Sequence, residues 1–68
     1  MLPADRLPSV QQKVLELMAE GLNDDAIARR LAISTTTVRR HITAIMHRLH
    51  VTSRFAAGAA AQRRGWIG

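Results

Sequence analysis

Apolar residues return along most of this chain at intervals of three and four, the spacing that lines one face of an α-helix. Val10, Val14, Leu17 and Met18 define a first helix from about Ser9 to Glu20. Ser9 and Gln12 have the spacing of a capping box, and Gly21 suits a left-handed stop. Asn23 is a good N-cap for a second helix, with Asp24 and Asp25 against the positive end of its dipole. Leu22 and Ile27 stand at the two positions of a hydrophobic staple, and Ile27 with Leu31 forms a short buried edge. Three residues, Ala32, Ile33 and Ser34, then separate it from a third helix, a separation typical of helix-turn-helix units. Ser34 is the natural cap of that helix, Ile33 and Val38 repeat the staple, and the periodicity runs to about Leu49. Ser53 caps a fourth helix reaching about Arg64, where Gly65 stops it and Trp66 and Ile67 return as an apolar plug. No segment alternates with period two long enough to make a strand. The pattern predicts an all-α, four-helix helix-turn-helix domain over residues 7–68, with residues 1–6 as a tail or linker remnant.

Length limits the means of stabilisation. A chain of 68 residues buries only roughly 60% of its unfolded surface and makes one domain at most. It has no cysteine, so helix packing must hold it, and cysteine-based zinc sites and thiol nucleophiles are excluded. No apolar run approaches the ~18 residues that cross a bilayer, and the N-terminus lacks a secretory layout. The expectation is a cytoplasmic protein without membrane attachment.

Charge changes the picture further. Ten Lys and Arg face five Asp and Glu, for a formal charge of +5, and every cation but Lys13 is arginine. Arginine pairs in a fork with phosphates and guanine edges, so a polyanionic partner is indicated if the arginines share a face. The third helix meets that condition. Projected at ~100° per residue, Val38, Ile42, Ile45 and Leu49 gather on one side, with His41 at the margin. Opposite lie Thr36, Arg40, Thr43 and His47, with Arg39 on the flank, and no acidic residue occurs from Thr35 to His50. A major groove about 12 Å wide admits one such helix and is read by its first half. Thr36, Arg39, Arg40 and Thr43 are therefore the expected base readers, Arg40 foremost, against guanine O6 and N7. Thr35, Thr37, His47, Arg48 and Arg54 are the expected phosphate contacts. Thr37 keeps two readings, phosphate contact or closure of the helix start.

The run EGLNDDAIARRLAISTTTVRRHITAIMHRLHVTSR resembles the LuxR-type (GerE-type) helix-turn-helix domain. Glu20-Gly21-Leu22, Ile27-Ala28, Ile33-Ser34, Thr37-Val38, His41, Leu49, Val51 and Ser53-Arg54 fall in register with that family. The resemblance, over about residues 7 to 67, implies that the third helix is the recognition helix and that Arg39, Arg40 and Thr43 face the bases. It implies a homodimer on double-stranded DNA through the fourth helix, whose expected contacts are Ala56, Ala59, Ala60 and Arg63. It further implies a role in transcription regulation, as in bacterial response regulators, with an upstream regulatory domain and RNA polymerase as further partners. The sequence departs from the family at Pro8-Ser9-Val10-Gln11, which replaces a Thr-Pro-Arg-Glu-like opening. Ala32 and His50 stand where glycine is usual, and Ala32 should be strained if its φ is positive. Asp25 replaces a common lysine and should weaken the approach to phosphate.

Other readings have less behind them. His47 and His50 are spaced to clasp a metal, but no cysteine or acidic ligand accompanies them, and no cofactor is expected. A protein-interaction module would carry a polar stripe without an acid-free row of arginines. A membrane-surface peptide would not need four capped helices with mutually apolar faces. A sigma-factor reader shares the turn but matches less well after Leu49. An enzyme reading lacks a carboxylate pair, a nucleophile-base pair and a phosphate loop. The small residues Ala56, Gly58, Ala59 and Ala60 suit either a dimer contact or packing on the protein's own core. Phe55 and Trp66 are expected in that core.

Overall fold

The structure, a computed structural model, describes residues 6–68; five of the six residues assigned to a tail lie outside the described residues. Four helices follow in chain order: α1 (Ser9–Ala19), α2 (Asp24–Leu31), α3 (Thr35–Leu49) and α4 (Arg54–Arg63). The described residues contain no strand. α3 is the spine, packing against each of the other three helices. Leu7, Val14, Leu15, Leu17, Ile27, Val38, Ile42, Ile45 and Leu49 form the core with Ala28, Ala57, Ala60 and Ala61. Trp66 and Ile67 pack on its edge as the expected plug, and His41 is half-buried at the margin.

The helix ends follow their capping chemistry, with one exception. Asn23, Ser34 and Ser53 each accept a backbone N–H from the third residue beyond, so the starts of α2, α3 and α4 match the sequence. The capping box expected at Ser9 does not form: Pro8 takes the cap position and no side chain bonds there. Ser9 is already helical, and the Gln12 amide donates instead to Glu16 (3.0 Å) and to the Trp66 carbonyl (2.7 Å). Gly21 has the positive φ expected of a stop, 97°, and Leu22 N–H closes the turn on Leu17 O at 3.2 Å.

Two expectations about burial are corrected. Val10 is 38% exposed, because it lies in the first turn at the margin of the packed layer; Leu15, outside the predicted stripe, is fully buried. Phe55 is not in the core: it is 90% exposed, since α4 turns Ala57, Ala60 and Ala61 inward and leaves position 55 on its outer side.

Candidate nucleic-acid interface

The turn between α2 and α3 sets the position of α3. Ala32 adopts the left-handed conformation (φ 57°), which redirects the chain and lets Ile33 N–H bond Ala28 O at 3.0 Å. Ser34 Oγ then accepts the Thr37 N–H at 3.0 Å and shares a 2.9 Å hydrogen bond with Thr37 Oγ1. Thr37's hydroxyl is thus engaged at the helix start.

Burial of Val38, Ile42, Ile45 and Leu49 fixes the rotation of α3 about its axis. Thr36, Arg40, Thr43 and His47, at i, i+4, i+7 and i+11, consequently lie exposed on the opposite side. None of the four side chains has a hydrogen bond or ion pair among the described residues. A hollow of about 530 Å³ joins this stripe to the start of α1, lined by Pro8, Gln11, Arg40, Thr43, Ala44, His47 and Arg48. Gln11 is half-buried there, a neighbour of the stripe that no sequence spacing indicated. The larger cleft, about 1000 Å³, lies between the chain around Arg6 and the tail around Trp66. It holds none of Thr36, Arg40, Thr43 and His47.

The flanking candidates are held by partners. Thr35 Oγ1 donates to Asp25 Oδ1 at 3.1 Å, and Arg48 Nη2 donates to the Arg6 carbonyl at 3.2 Å. Arg54 Nη2 donates to Asp24 Oδ2 at 2.8 Å, and Arg39 Nε approaches the same oxygen at 3.4 Å. Asp24 Oδ1 lies 2.7 Å from Arg54 Nη2 as an ionic contact but without the alignment of a hydrogen bond. Sequence reasoning assigned Asp24 only a dipole role; partners 15 and 30 residues away leave no local signal.

On α4, Ala59 and Arg63 are exposed and Ala56 is half-buried, but Ala60 is turned into the protein's own core and leaves the expected dimer face. Among the described residues no group of His, Asp and Glu could hold a metal, and no helix is long and apolar enough to cross a membrane.

A basic, acid-free face on the second helix of a tight helix-turn-helix pair defines a DNA-binding helix-turn-helix domain. Residues 6–61 match the family described as bacterial regulatory proteins, luxR family. The chain belongs to that family. It is 54% identical over 48 residues, 71% of its length, to the bialaphos biosynthetic pathway regulatory protein of Streptomyces hygroscopicus. It is 38% identical over 64 residues, 94% of its length, to the transcriptional regulatory protein DesR of Bacillus subtilis. The chain spans only 19% and 32% of those two proteins. Among solved structures, that of the transcription factor GerE superposes with a TM-score of 0.87 at 27% identity, over 91% of this chain and 92% of that one.

Proposed function

We propose that this chain recognises a specific double-stranded DNA site with α3 in the major groove and regulates transcription as one half of a dimer joined through α4. The observation that carries the reading is the unpartnered stripe of Thr36, Arg40, Thr43 and His47 on a helix whose other side is locked into the core. Arg40 is the principal base reader, with Thr36 and Thr43 beside it. His47 at the far end of the stripe, with Thr35, Thr37, Arg48 and Arg54 flanking it, would meet backbone phosphates. Ala56, Ala59, Arg63 and the exposed Phe55 supply the dimer face. The part played here is binding and not catalysis. In a longer cytoplasmic protein, residues 7–68 would serve as the output domain of an upstream regulatory domain, with RNA polymerase as a further partner.

Fluorescence anisotropy tests the reading, comparing a duplex chosen by site selection with a scrambled one at several salt concentrations. A clear preference is expected, with affinity falling as salt rises. Arg40→Ala is expected to cost about 1–3 kcal/mol on the selected site and to relax sequence choice. Absence of any preferred duplex at low salt would refute it.

A further inference from the structure

Asp24 stands at the first position of α2, where two arginines from two other helices converge on one carboxylate. Arg54, from the start of α4, straddles both oxygens with a single nitrogen, Nη2, at 2.8 and 2.7 Å. Arg39, from α3, approaches Oδ2 at 3.4 Å through Nε, the nitrogen nearest its own stem. Each arginine therefore uses one nitrogen on Asp24. Both terminal nitrogens of Arg39, and Nε and Nη1 of Arg54, have no partner among the described residues. Exposure follows the same division: the Asp24 side chain is 15% exposed, those of Arg39 and Arg54 68% and 47%. The acid sits beneath and the unused donors remain near solvent.

Two cations against one anion leave the cluster positive, and the shared carboxylate offsets the repulsion between the guanidinium groups. Arg39 is also ~100° around α3 from Arg40, and its bond to Asp24 draws it toward α2 and away from the reading stripe. We propose that Asp24 positions Arg39 and Arg54 as a two-arginine clamp for one phosphate of the DNA backbone, with Arg39 serving the backbone instead of the bases. The ligand class is a phosphate anion, which matches planar guanidinium donors in number and charge. The inference rests on the DNA-binding reading and deepens it.

The test begins without DNA. Wild-type protein is titrated with inorganic phosphate at low ionic strength while the arginine Nε–H resonances are followed by NMR. Arg39 and Arg54 are expected to shift together along one binding curve, and more than the exposed Arg29 and Arg30. In Asp24→Asn the two should lose that shared response while the fold, checked by circular dichroism, persists. With DNA, Arg39→Ala should weaken selected and scrambled duplexes by the same factor. The Arg39→Ala/Arg54→Ala pair should lower the log–log salt slope by ~0.9 in total, the value for one phosphate and not two. Shifts at Arg39 and Arg54 no larger than those at Arg29 and Arg30 would overturn the clamp, leaving an ordinary ion pair. Arg39→Ala that relaxes sequence choice would return Arg39 to the base readers. If wild-type protein prefers no duplex, the DNA-reading proposal falls, yet the phosphate titration still decides the clamp.

Discussion

At the scale of single residues, the left-handed turns closing α2 and α3 carry a cost. Ala32 (φ 57°, ψ 42°) and His50 (φ 58°, ψ 44°) both hold a conformation in which Cβ crowds the following carbonyl. That crowding costs roughly 1–2 kcal/mol per residue. The chain accepts it at Ala32 because the turn must bring Ile33 back to the core and Ser34 to its cap within three residues. Glycine would remove the clash but loosen the unfolded chain, an offset of roughly 0.5–1 kcal/mol. Ala32→Gly is therefore expected to stabilise the domain by about 0.5–1 kcal/mol, read as a higher urea midpoint at unchanged m-value. A lower midpoint would mean that the alanine methyl contributes packing worth more than the strain. The resemblance to the LuxR-type domain implies glycine at this position, and the strain expected of Ala32 at positive φ follows from it.

At the scale of elements, α4 differs from the other three helices. Its buried stripe, Ala57, Ala60 and Ala61, is made of alanine alone, so hydrophobic contrast along it is slight and the sequence could not say which side faces inward. Gly58 illustrates the point. A Cβ built there meets nothing within 4 Å, so glycine is not required for close packing inside this chain. Gly58→Ala is expected to stabilise the isolated domain by about 0.5–1 kcal/mol through helix propensity, measured by thermal or urea unfolding. Destabilisation would show that the helix cannot tolerate a methyl where the structure has open space. The end of α1 was legible because Gly21 carries a local conformational demand, whereas its start was not. Ser9 has a capping side chain, but Pro8 pre-sets its own φ at the cap position (−54°) and the helix begins one residue earlier than a serine cap allows.

At the scale of the whole molecule, the exposed aromatic is the feature most at odds with a self-contained monomer. Phe55 projects from the outer side of α4, near Ala59, while α1, α2 and α3 close the core without it. Phe55→Ser should change the unfolding free energy of the domain by no more than about 0.5 kcal/mol, because no core contact is lost. It should reduce cooperative occupancy of a duplex carrying two half-sites one helical turn apart, with binding to a single half-site unchanged. Gel-shift titration on the two duplexes separates these effects. Unchanged cooperativity would place the dimer contact elsewhere. The ends of the domain are joined at the same scale: Gln12 holds the Trp66 carbonyl at 2.7 Å, tying the C-terminal tail to α1.

The sequence by itself determined the number of helices, most of their ends and which side of α3 faces outward. Those features follow from local rules: a capping side chain acts over three residues, a glycine stop over two, and Val38, Ile42, Ile45 and Leu49 orient their own helix. Only the tertiary structure decided that Phe55 lies outside, that Ala60 belongs to the core and that Gln11 borders the exposed stripe of α3. It also decided that Asp24 gathers Arg39 and Arg54 from separate helices. Each of these depends on how rigid helices meet across gaps of many residues. Side chains as small as alanine, or as long as arginine, leave too little periodic contrast to specify that meeting in advance.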